Sequence, residues 1–321
     1  MNKLNVVFMK ALRRLFRLCF KLDDLTPPMC EVDPDKAGEI ISKALTCHEP
    51  KMIARFGSTE LLCMSNYMGV ISEKHNWIEY IRGKSNPWWW NQSIINQMQM
   101  WSGFFPADVP SVEKFCQMMI EEARQLDVLG SWLPAERIFL DESVGVALVN
   151  LELLNPYFSS TPWTRALEEK KVLVIHPFAS TIESQYKKRE LIFKDNLLPA
   201  FELKTIKAVQ SIAGEKTDFE TWFDALDHMK AQMDGIDYDI CLIGCGAYGF
   251  PLAAHAKRMG KKGFHLGGSL QLLFGIRGKR WENPNYNPDY NFSILMNEHW
   301  VKPGEEERPK DASKVEGACY W

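Results

Sequence analysis

Residues 238–280, YDICLIGCGAYGFPLAAHAKRMGKKGFHLGGSLQLLFGIRGKR, decide the fold. Ile240 to Ile243 is an apolar run with the length and character of a buried strand. Gly244, Gly246 and Gly249 follow as a tight turn. Pro251 to Met259 then reads as a helix, with Leu252, His255, Ala256 and Met259 along one face and Gly260 as its stop. Gly263 to Leu266 reads as a second short strand, and a further helix starts at Gly267-Gly268-Ser269 and carries Leu270, Leu273 and Phe274. Such a strand–turn–helix–strand unit brings backbone N–H groups and a helix N-terminus to one spot, which suits an anion, most often a phosphate.

Three readings of that turn stand side by side: a structural glycine turn, a phosphate or nucleotide-sugar site, and a dinucleotide site. GCGAYG satisfies G-x-G-x-x-G literally. A dinucleotide site also needs an acidic residue about 20 positions on, to hold a ribose hydroxyl. Here the next strand ends in His265-Leu266-Gly267-Gly268, with no Asp or Glu, and the unit lies late in the chain.

Working outward, Lys171 to His176 is the clearest strand. Pro177-Phe178-Ala179 turns it, and Ser180 and Thr181 open a helix whose hydroxyls and free N–H groups can receive a phosphate beside His176, with Glu183 near the first turn. Leu203 to Val209 reads as a strand and Asp218 to Met233 as a helix. Upstream, Lys36 to Leu45 is a short helix and Lys51 to Phe56 the first strand. Gly57-Ser58-Thr59 turns it, and Glu60 enters a helix. Arg55 and Glu60 there serve either a phosphate and a metal ion or sugar hydroxyl, or a helix capped by Ser58 or Thr59. Pro87-Trp88-Trp89-Trp90-Asn91 opens an aromatic, helical insertion running through Trp101, Phe104 and Phe105, whose tryptophans fill a core or stack on sugar rings. Ser111 to Leu126 is a helix, and Ile138 to Leu140 a strand leading to Asp141-Glu142, an acid–base pair or two surface acids. Strands alternating with helices predict an α/β domain, a Rossmann-like, mostly parallel sheet with helices on both faces. Gly57, His176, Gly244 and Leu266 then share the carboxyl edge of that sheet, where ligands bind.

Residues 1–22, MNKLNVVFMKALRRLFRLCFKL, form a basic amphipathic helix without an acidic residue. At roughly 100° per residue, Lys3, Lys10, Arg13, Arg14, Arg17 and Lys21 fall on one side and Leu4, Phe8, Leu12, Leu15, Phe16 and Cys19 on the other. That is the pattern of a membrane-surface helix, the alternative being a helix docked on the protein itself. Residues 23–35, with Pro27, Pro28 and Pro34, read as a linker, 36–282 as the catalytic domain and 283–321 as an irregular tail, polar and loosely ordered from Trp300 to Lys314. Its aromatic end, Tyr320-Trp321, is expected to dock. The net charge of −3 gives no reason to expect nucleic acid, and eight scattered cysteines indicate no disulfide framework, as in a reducing cytosol. No apolar run reaches the length of about 18 residues that spans a bilayer.

RFGSTE at 55–60, HPFASTIESQYKKRELIF at 176–193 and GCGAYGFPLAAHAKRMGKKGFHLGG at 244–268 occur together in this order. Jointly they resemble the bacterial glycosyltransferases of the GT-D fold type, over roughly residues 40–282. The resemblance implies sugar transfer from a nucleotide-sugar donor, assisted by Mn²⁺ or Mg²⁺, to a glycan or lipid-linked acceptor in surface polysaccharide synthesis. The family's metal motif is Asp-x-Glu after Arg-x-Gly. Arg55, Gly57 and Glu60 match it, and Ser58 stands where the Asp belongs. The expected site is therefore Glu60 for metal or catalysis and His265 for a catalytic or donor contact. Arg55, Gly57, Ser58, His176, Ser180, Thr181, Gly244, Gly246, Tyr248, Gly249 and Gly268 are expected around the donor. The N-terminal helix would hold the enzyme at the cytoplasmic face of the inner membrane. The alternatives are an NAD(P)-dependent oxidoreductase using GCGAYG and a non-catalytic glycan-assembly partner that kept the fold.

Overall fold

A computed structural model describes residues 2–20, 25–140, 145–308 and 320–321. The acidic pair Asp141-Glu142 lies outside them, as does Lys21. In chain order the helices and strands are α1 (Lys3–Cys19), α2 (Pro34–Thr46), β1 (Lys51–Ala54), α3 (Ser58–Val70), α4 (Trp77–Ile81), α5 (Gln92–Ser102), α6 (Val109–Ala123), β2 (Val128–Ser131), β3 (Ala147–Asn150), β4 (Lys171–His176), α7 (Ala179–Tyr186), α8 (Arg189–Ile192), β5 (Glu202–Lys207), α9 (Trp222–Asp234), β6 (Ile240–Ile243), α10 (Gly249–Arg258), β7 (Lys262–His265), α11 (Leu270–Leu273) and α12 (Lys279–Glu282). Short 3₁₀ turns fill several connections.

The seven strands form one all-parallel, Rossmann-like sheet in the order β3-β2-β1-β7-β6-β4-β5. Strand residues alternate between two cores, as a pleat buried on both faces requires. Met52, Ala54, Leu173, Ile175, Cys241 and Ile243 point to one, packed by residues of α3, α5, α6, α9 and α10. Ile53, Val172, Val174, Ile240, Leu242 and Phe264 point to the other, packed by α2, α7 and α11. Gly263 lets α10 approach closely, since a Cβ there would fall 2.2 Å from the Ala253 carbonyl oxygen.

The strand order places the site. After β4 the chain moves outward to β5, whereas after β6 it moves the opposite way to β7. Connections that part in opposite directions leave a crevice at the carboxyl ends of the two strands. Here that crevice opens between His176 and Gly244.

The structure corrects several expectations. Ile138–Leu140 is no strand: Pro134–Ile138 is a 3₁₀ turn, and the strands of this region are β2 and β3. At four residues each they are too short to show a period of two, and Gly130 in β2 is set by packing, since a Cβ would meet Leu154 at 2.4 Å. Neither Ser58 nor Thr59 caps α3; Gly57 holds the N-cap position without a side-chain hydrogen bond. The linker is not free chain either. Glu31 bridges to Val149 along β3, and Asp33 caps α2 by accepting from the Asp35 and Lys36 amides. The start of the tail is docked rather than loose: Trp300 is buried with Ile192, Leu272, Trp281 and Phe292, and Glu307 is buried as well.

Candidate functional site

Two adjoining pockets of about 900 Å³ and about 710 Å³ open at the carboxyl edge and share Arg55, Trp101, Ser102, Gly246 and Tyr320. The first lies over the β4–β6 crevice and is lined by His176, Gly244, Tyr248 and Gly268. The second lies over β1 and β7 and is lined by Gly57, Ser58, Glu60 and His265. Ten of the thirteen residues expected from the sequence thus line one continuous crevice, and Gly249 supports it from beneath. A Cβ on Gly249 would fall 2.1 Å from His265 Nδ1, so glycine there makes room for the imidazole. Gly244 does the same for His176, whose Cδ2 lies 2.7 Å from the Cβ position.

Arg55 sits one residue past β1, between the two pockets. Its guanidinium lies 5.2 Å from the Trp132 ring centroid and makes no hydrogen bond or ion pair among the described residues. Burial pulls it below the ordinary arginine value, Tyr320 and Glu60 acting against that. A half-buried cation without a counter-ion is costly unless an anion joins it. Glu60, 8% exposed, folds back over Gly57 and likewise has no hydrogen-bond partner among the described residues. With Gly57 as a bare N-cap, the first amides of α3 face the same space as the Gly246–Tyr248 turn.

The two histidines are opposite tautomers. His176 Nδ1 accepts from the Phe178 amide at 3.0 Å, which leaves its proton on Nε2. His265 Nδ1 faces the Ile243 carbonyl oxygen at 3.3 Å, which only accepts, so Nδ1 carries the proton and Nε2 keeps a lone pair. Burial lowers both to about 3, with the Arg55 charge adding to the effect on His265. One therefore offers a neutral donor and the other a neutral acceptor.

Ser180 and Thr181 stand apart from the pockets, because their anion is already supplied. Glu307 Oε1 accepts from the Ser180 amide at 2.8 Å and the Thr181 amide at 3.4 Å, and Oε2 from the Thr181 hydroxyl. Glu183, near the same turn, is exposed and takes the Thr205 hydroxyl.

The sequence did not single out Trp132, Ser102, Gln271 or Arg280. Ser102 Oγ and Gln271 Oε1 are buried without a partner among the described residues, and both residues line the first pocket. Tyr320 closes one wall. A Cβ on Gly268 would strike its ring at 2.2 Å, Gln271 Nε2 donates to its carbonyl, and the Arg280 guanidinium lies 4.9 Å from its ring centroid. Docking of the aromatic end was legible; its place in the site was not.

No known family, no characterised protein and no solved structure matches the chain. What the structure shows is an α/β domain with a seven-stranded all-parallel sheet. The described residues hold no group of three His, Cys, Asp or Glu side chains able to bind a metal ion, and Glu60 is the one Asp or Glu in either lining. No described helix is long and apolar enough to cross a membrane.

Proposed function

We propose that the crevice binds the diphosphate of a nucleotide-sugar and that the protein is a glycosyltransferase. The observation that carries the reading is Arg55, a cation without an ion pair among the described residues, at the carboxyl edge of a parallel sheet and flanked by glycine turns. In transfer, the bond from the anomeric carbon to the diphosphate oxygen breaks, and the electron pair leaves with the nucleoside diphosphate. A bond forms from that carbon to an acceptor hydroxyl oxygen, whose proton is released. Fixed positive charge aimed at the departing diphosphate lowers the barrier. Arg55 and the first amides of α3 supply it, with Arg280 in the same lining. His176 Nε2–H donates to a phosphate oxygen. Glu60 and His265 Nε2 accept from sugar or acceptor hydroxyls.

The residues do not by themselves build a metal site, since one carboxylate among guanidinium groups is a poor cation ligand set. Mn²⁺ or Mg²⁺ would enter on the donor's diphosphate, and no step is assigned to it. Nor does the end of β7 offer a carboxylate to a nicotinamide cofactor's ribose.

The test is thermal unfolding with UDP, GDP, ADP, NADH and NADPH, each with Mn²⁺ or EDTA. One nucleoside diphosphate should stabilise the protein by about 2.7 kcal/mol at a hundredfold excess over Kd. Arg55→Met should abolish that shift and melt no lower than the parent, because it removes a partly desolvated charge that has no ion pair among the described residues. Loss of the shift in EDTA would assign a metal. A response to NAD(P)H alone would replace the transferase with an oxidoreductase, and silence throughout would favour the assembly partner.

A further inference from the structure

Helix α1 meets the domain along one edge only. Met9 is buried against Tyr80 and Trp89, with Val6 beside it. The Arg13 guanidinium lies 4.7 Å from the Tyr80 ring centroid, and Lys10 Nζ donates to Asn91 Oδ1 at 3.1 Å. The helix is thus docked on the protein, yet its apolar arc is far wider than that edge. Leu4, Val7, Phe8, Leu15 and Leu18 form a second stripe, each between 57% and 77% exposed. At roughly 100° per residue they cluster on one side, and Lys10, Arg14 and Arg17 border them between stripe and docked edge. No acidic residue interrupts the helix, although the chain as a whole carries −3. On α4, against which α1 packs, Trp77 is also exposed.

We propose that this face of α1 docks on an anionic lipid bilayer, the helix lying in the plane of the surface. The stripe would enter the acyl boundary, Lys10, Arg14 and Arg17 would meet lipid phosphates, and Trp77 would sit at headgroup level. A second copy of the chain suits the face less well. Two such helices packed on their stripes would bring their cationic borders together, with no carboxylate on either helix to pair them. The proposal is independent of what the crevice binds.

The experiment is co-sedimentation of the full chain with vesicles of phosphatidylcholine alone and of equal parts phosphatidylcholine and phosphatidylglycerol. Binding to the anionic vesicles and weak binding to the neutral ones is expected. Phe8→Asp and Leu15→Asp should abolish it with an unchanged melting temperature, since both side chains already face solvent. Arg14→Gln and Arg17→Gln should each lower the partition coefficient about fivefold, which is about 1 kcal/mol per charge. Equal binding to both vesicles, binding unmoved by the aspartates, or no binding overturns the proposal. So does a parent that self-associates in light scattering and becomes monomeric as Leu15→Asp, which would make the stripe a dimer interface.

Discussion

His176 and His265 end β4 and β7, buried, each with one ring nitrogen committed to the backbone. Both are held neutral down to about pH 3 in the folded protein, against about 6.5 for an unfolded histidine. The sign follows. Between those values the unfolded chain binds protons that the folded one refuses, so acidification favours unfolding. The stability is fully present above about pH 6.5 and is lost as pH falls toward about 3, at roughly 1.4 kcal/mol per pH unit for each histidine. Urea midpoints measured down this range should fall, and His176→Asn and His265→Asn should each make the fall shallower. An unchanged slope in either variant would mean that its ring is solvated. The identity of both residues was legible as strand-end histidines. Their tautomers were not, because each depends on which backbone atom the fold brings to Nδ1.

At the scale of an element, the start of α7 shows correct chemistry with an unforeseen ligand. Free amides and two hydroxyls at a helix N-terminus attract an anion, and here the anion is the Glu307 carboxylate. It reaches Ser180 from 127 positions away, in a segment that reads as loose polar chain. Gly304 N–H also donates to the Thr181 hydroxyl, so the pair fastens the segment to the domain. Glu307→Ala leaves buried donors unpaired and should cost about 1–3 kcal/mol. Amide exchange should quicken at residues 180–182 and 304–307 while β4 stays protected. Inorganic phosphate should then stabilise Glu307→Ala by more than it stabilises the parent. If exchange stays slow, other contacts hold the segment.

At the scale of the whole molecule, the two cores that sandwich the sheet include no residue before Ala37. Helix α1 belongs to a small satellite cluster with Tyr80 and Trp89. A chain starting at residue 25 should therefore fold with its sheet intact. It should lose about 2 kcal/mol, the order of one buried methionine side chain, with the steepness of urea unfolding nearly unchanged. A collapse of cooperativity would place α1 inside the folding unit.

Residue order alone determined the class of fold. KVLVIH, ICLI and the glycine turn after Ile243 mark buried strands feeding helices, and alternation of strand with helix leaves a parallel sheet as its consequence. It also determined that Arg55, His176, Gly244 and His265 fall at strand ends, since each directly follows or ends an apolar run, and that Glu60 enters the helix after the first strand's turn. Tertiary structure decided what no local pattern carries. The strand order sets β4 beside β6 and β7 beside β1, so that Arg55 and His176, 121 positions apart, line one pocket. Long-range packing decided that Tyr320 walls the crevice, that Glu307 fills the slot at α7, and that α1 docks by one edge. The reason is physical. Strand and helix periods are written in neighbouring residues, whereas an ion's partner or a pocket's wall is fixed only when distant segments bury their apolar faces together.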